Sequence, residues 1–145
     1  MKKHVYLWGA LVLLMIVLTS CSQSGEEKDD TPKMLDVKLT VNPTQVQPNE
    51  MITFKADVTY GKEKVTDADE VTFEFWRSKD EKHQKVKVAK ATNGVYQLEK
   101  SFTTEGTYYV ISHVTAESMH SMPRVEFVVG SPSEPEPAHS AKMDM

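Results

Sequence analysis

The chain has 145 residues, with 17 basic against 21 acidic side chains and a formal net charge of −4. An acidic balance without basic clusters excludes a nucleic-acid binder, because phosphate neutralisation supplies most of that affinity. A single cysteine excludes a disulfide-braced fold, so stability must come from an ordinary hydrophobic core.

Met1-Lys2-Lys3-His4 is a short basic start, and Val5 to Leu18 is apolar throughout. An apolar run shorter than the ~20 residues of a membrane span, followed by small residues, predicts a secretory signal peptide over residues 1–20. Leu18-Thr19-Ser20-Cys21 resembles the lipobox of bacterial lipoproteins. That resemblance implies cleavage before Cys21, lipidation of its thiol by palmitate-type acyl chains, and a cell-membrane location on the extracytoplasmic face. The competing reading is an uncleaved anchor with an incidental cysteine. Two acyl chains give stable anchoring where one is marginal. Losing Lys2 and Lys3 with the signal leaves 15 basic against 21 acidic groups, a net charge of −6. With Cys21 lipidated, no thiolate is left to bind a metal or attack a substrate.

Residues 21–33 then form a polar, charged spacer without aromatics, which cannot bury enough apolar surface to fold. Residues 34–129 read as one small domain. Leu35 to Val41 alternates apolar and polar as a half-buried strand does, until Asn42-Pro43 breaks it. Met51 to Tyr60 alternates again and ends at Gly61-Lys62. Val71 to Trp76 and Lys85 to Ala89 are the next two strands. Asn93-Gly94 is a strong hairpin signal leading into Val95 to Phe102. Thr107 to Ala116 is the longest strand and Arg124 to Val129 the last. Seven strands in about 95 residues, with turn signals between them, predict an all-β, immunoglobulin-like β-sandwich. Gly106-Thr107-Tyr108 looks like the tyrosine corner of such sandwiches. With Tyr108 inward, period two places Val110, Ser112 and Val114 inward, and Tyr109, Ile111, His113 and Thr115 outward. Residues 130–145 form a flexible Pro-rich tail that favours extended conformations.

Between the last two strands lies HVTAESMHSMP, Val114 and its neighbours running from His113 to Pro123. Thioether sulfur is a soft donor suited to Cu(I), and imidazole suits copper in either oxidation state. Met119, His120 and Met122 are placed in the turn, where side chains can converge on one ion. His113 sits several residues down its strand, roughly 10 Å from the tip at ~3.3 Å per residue, and ranks behind them. The plain alternative is that Met119 or Met122 caps the open end of the sandwich while His120 is solvated. His139, Met143 and Met145 in the tail are auxiliary metal candidates, against the reading that they are simply solvated. His83, among charged neighbours, reads as a surface loop residue. No Gly-rich phosphate loop, GxSxG elbow, HExxH or thiol nucleophile is present, so an enzyme is not expected.

Gly94-Val-Tyr96, Phe102, Gly106 to Val110, His113, Met119-His120, Met122-Pro123 and Phe127 to Val129 resemble the YtkA-like domain of envelope lipoproteins, related to FixH-type proteins. The resemblance implies an immunoglobulin-like sandwich tethered to the plasma membrane, with His113, Met119, His120 and Met122 as copper ligands. FixH-type proteins are associated with copper supply to respiratory oxidases, so a cytochrome oxidase subunit or another copper protein is the implied partner. This chain carries a lipid anchor where FixH proteins have a transmembrane helix. Copper holding or delivery is thus one expectation. The other is a metal-free envelope interaction module using Tyr109, Ile111 and Thr115 beside His113.

Overall fold

Period-two alternation sorts the long strands into an inner and an outer row. The computed structural model describes residues 31–134 and 136. Its strands are β1 (Leu35–Asn42), β2 (Gln45–Val46), β3 (Ile52–Tyr60), β4 (Glu63–Lys64), β5 (Glu70–Arg77) and β6 (Gln84–Lys87). They continue with β7 (Ala91–Thr92), β8 (Val95–Lys100), β9 (Gly106–Ala116), β10 (Met119–Ser121) and β11 (Arg124–Val129). The seven expected strands are all present. β2, β4, β7 and β10 are additional, and at two or three residues each they are too short to show an alternation.

One sheet runs β1-β3-β8-β7 with β4 against β3, and the other runs β2-β11-β9-β5-β6 with β10 against β9. The chain leaves the first sheet at Asn42-Pro43, where proline offers no N–H to the ladder. Gln45-Val46 then pairs in parallel with Val128-Val129 of the second sheet. One N-terminal stretch thereby serves both sheets, as in an immunoglobulin-like β-sandwich.

Valines and aromatics fill the space between the sheets. Phe54 of β3 is fully buried and meets Phe75 at 4.8 Å and Phe127 at 5.3 Å, both edge-on and both from the opposite sheet. Each such pair adds roughly 0.5–1.5 kcal/mol beyond area burial, so rings do here what a disulfide does in other small sandwiches. The tyrosine corner forms: the Tyr108 hydroxyl donates to the Thr104 carbonyl at 2.7 Å, and burial pushes the Tyr108 pKa up. Gly106 precedes it at φ 149, where a Cβ would stand 2.5 Å from Arg77 Nε. Val110, Ser112 and Val114 are inward and fully buried. Ser112 Oγ is the buried side-chain oxygen without a hydrogen-bond partner among the described residues.

Residues 133, 134 and 136 of the segment expected as a tail make hydrogen bonds to the second sheet. Ser133 Oγ accepts from Thr107 N at 2.9 Å, and Ser78 Oγ donates to the Glu134 carbonyl at 2.7 Å. Glu136 accepts from Trp76 Nε1 at 3.0 Å. An extended, Pro-bearing strand keeps its polar groups free for neighbours, and the second sheet supplies them. Every strand falls within the compact unit Pro32–Met145. A protein beginning at Ser22 therefore retains the whole sandwich. Residues 1–20, expected to be a signal peptide, and Cys21, His139, Met143 and Met145 lie outside the described residues.

Candidate metal centre

The β9–β10 hairpin decides which side chains share a face. Its turn is Glu117-Ser118, with φ of 51° and 60°, and not the Met119–Met122 stretch. Met119 pairs with Ala116, His120 with Thr115 and Ser121 with Val114. β11 continues the same register, since Arg124 pairs with Ile111. Met122 therefore falls directly opposite His113, and His120 lies one step diagonally from it. The His113 and His120 rings stand 6.0 Å apart. The ~10 Å from His113 to the hairpin tip counts three residues along β9; what differs is that Met119, His120 and Met122 are not at the tip but return alongside β9, which makes His113 a cross-strand neighbour of Met122.

Alternation separates the methionines. His120 and Met122 share the outer row with Ile111, His113 and Thr115, while Met119 takes the other face. There its sulfur accepts from the Leu35 backbone N–H at 3.4 Å, at the sandwich end beside β1. Met122 has no such engagement and is 55% exposed. The structure thus brings together His113, His120 and Met122 and sets Met119 apart.

A carboxylate that the sequence reading passed over organises the face. Glu74 of β5 holds His113 Nε2 on Oε2 at 2.5 Å and His83 Nδ1 on Oε1 at 2.6 Å. An ionised carboxylate only accepts, so both ring nitrogens donate. That leaves Nδ1 of a neutral His113 as its lone-pair nitrogen. His120 Nδ1 meets Thr115 Oγ1 at 2.8 Å, which turns Nε2 away from that contact. Burial pushes the Glu74 carboxyl up, yet hydrogen bonds from His83 and His113 and the charges of His113 and Lys85 outweigh it. The net direction is below the ordinary 4.5. His83 is the surface loop residue expected, exposed just before β6, and it also stacks on Trp76 with ring centres 4.5 Å apart and planes at 8°. A Glu at alternate spacing in β5 gave no hint of this; the contact depends on sheet order.

Chemically, the face offers two imidazoles, each fixed through one nitrogen, beside an exposed thioether. Fixing a ligand ring by a carboxylate on its other nitrogen is the usual support of a metal-bound histidine. Among the described residues no three His, Cys, Asp or Glu side chains stand as a ready metal cage, so a third donor here is the Met122 sulfur. Tyr109, proposed above for a docking patch, is only 4% exposed. The Arg124 guanidinium lies 4.0 Å over its ring and Trp76 packs 5.5 Å away. Among the described residues no helix is long and apolar enough to cross a membrane.

A family model described as YtkA-like matches residues 29–113, more than half of the chain. The match includes His113 and ends before Met119, His120 and Met122. No curated protein matches. Among solved structures, a β-glucosidase from Listeria innocua in complex with glucose is similar at TM-score 0.44 and 10% identity, over 69% of this chain. The alignment spans only 16% of that enzyme. The PmoD soluble domain from Methylocystis sp. is similar at TM-score 0.42 and 14% identity, over 68% of this chain and 92% of that one. The CARDB domain of the PF1109 protein from Pyrococcus furiosus, in complex with di-metal ions, is similar at TM-score 0.40 and 18% identity, over 70% and 96%. With scores this low, the architecture rests on the strand pairing itself.

Proposed function

This chain belongs to the YtkA-like family, and we propose that it is a lipid-anchored extracytoplasmic protein that binds Cu(I) through His113, His120 and Met122. It would hold copper for, or pass it by ligand exchange to, an acceptor such as a respiratory oxidase. One observation carries the reading: an exposed thioether directly across the strand pair from one imidazole and two residues from another, all on one face. A soft sulfur with two borderline nitrogens is a donor set that favours Cu(I) over hard cations. Its openness fits transfer, since an ion can leave such a face stepwise. The lipobox-like Leu18 to Cys21 supports the membrane location.

The test is a Cu(I) competition titration of residues 22–145 against a chromophoric chelator. We expect one equivalent, with affinity lowered at least about tenfold in a His113→Ala, His120→Ala double variant. Equal affinity in wild type and variant would remove the copper reading and return this face to a metal-free interaction surface.

A further inference from the structure

We infer that Trp76, Lys79 and Arg124 form a carboxylate seat for an acidic, proline-bearing segment of a partner protein. In the chain alone its own Glu136 fills the seat and must be displaced. Three donors converge there. Glu136 Oε1 accepts from Trp76 Nε1 at 3.0 Å and from the Lys79 backbone N–H at 3.2 Å. Its Oε2 lies 3.5 Å from Arg124 Nη2. Donors of this kind around an ionised carboxylate make the stronger class of hydrogen bond. Sheet and turn hold them in place, independently of the strap formed by residues 131–134 and 136. The Arg124 guanidinium lies 4.0 Å over the Tyr109 ring and 5.3 Å from that of Trp76. The Lys79 N–H is aimed by a turn that Asp80 N closes on the Arg77 carbonyl at 2.9 Å. Lys79 holds φ 68° in that turn, a strained conformation for a non-glycine residue and one that gathers at ligand clamps.

The strap is held weakly enough to release. Lys79 Nζ also pairs with Glu134, but these side chains are 54% and 83% exposed, and an exposed pair contributes little. The Glu136 side chain is only 18% exposed, so the charged part of the grip falls to its seat. Two serine contacts complete the attachment, Ser133 with Thr107 and Ser78 with the Glu134 carbonyl. Every strand ends by Val129, so the seat outlasts the strap's departure. Ser-Glu-Pro-Glu-Pro, the sequence from Ser133, then states the chemistry of a ligand: carboxylates two residues apart on a chain that proline keeps extended. The seat lies on the same outer face as His113 and Met122 but needs no metal, so it stands apart from the Cu(I) reading.

Trp76 reports occupancy through its indole N–H, and Trp8 is the chain's other tryptophan. In residues 22–145 or 22–130, Trp76 emission is therefore read alone. The probe is the peptide acetyl-SPSEPEP-amide. With residues 22–130, whose cooperative unfolding is checked by urea melts, a saturable blue shift is expected. A tethered strap competes at an effective concentration of order mM, so residues 22–145 should bind the peptide at least about tenfold more weakly. Glu136→Gln in that longer chain should bind more tightly than wild type. Arg124→Gln in residues 22–130, or Gln at both glutamates of the peptide, should weaken binding at least about tenfold. No shift in either opened form up to about 1 mM peptide, or an equal shift from the Gln peptide, overturns the inference. Dimers of residues 22–145 that Glu136→Gln abolishes, seen by sedimentation, would give the seat to a second copy's strap and overturn the partner.

Discussion

Glu74 of β5 holds a β9 imidazole and a loop imidazole through its two oxygens. Its folded carboxyl lies below the ordinary 4.5, with burial opposing and the His83 and His113 hydrogen bonds prevailing. The sign follows from linkage: a depressed carboxyl contributes stability that is present above its unfolded value and lost as pH falls through the folded value. Urea midpoints across this acid range should show wild type more stable than Glu74→Gln at neutral pH, with the gap closing on acidification below 4.5. Parallel curves would contradict the assigned role. At this scale the sequence was only partly readable. Outward placement of His113 followed from Tyr108 by period two. The partners of Glu74 did not, because His83 and His113 are 9 and 39 residues away from it.

The β9–β10 hairpin sets the donor geometry, and its turn is the element where reading and structure part. Asn93-Gly94 announces the β7–β8 turn, since both residues accept positive φ, and both have it. Glu117 and Ser118 take the same conformation without that advertisement. Without it, sequence pattern alone places the turn nearer Met119 and leaves the β10 residues as loop. Non-glycine residues held at positive φ cost of order 1 kcal/mol each. Glu117→Asn with Ser118→Gly should raise stability by about 1 kcal/mol, measured by urea melts, and leave Cu(I) affinity unchanged because the register is kept. A loss of Cu(I) affinity would mean that the turn, and not the strand pairing, forms the site.

Across the whole molecule, the sandwich was legible because alternation, turn residues and the Tyr108 corner agreed with one another. The strap made by residues 131–134 and 136 was not, because Pro, Ser and Glu declare an extended strand without naming its neighbour. It covers Trp76 and Tyr109, with Glu136 N also donating to the Tyr109 hydroxyl at 3.3 Å. Ending the chain at Gly130 should shift Trp76 emission to the red and lower stability by about 1–2 kcal/mol, from the hydrogen bonds lost. Unchanged emission would show that the strap does not cover the ring in solution. Copper binding, as proposed, takes place on the outer face of β9 and β10, where alternation puts Met122 and not Met119. Cu(I) competition titrations of Met122→Ala and Met119→Ala, side by side, test it most directly. At least about tenfold weaker binding in Met122→Ala, with Met119→Ala matching wild type, is expected. Equal losses in the two, or a loss confined to Met119→Ala, would contradict it.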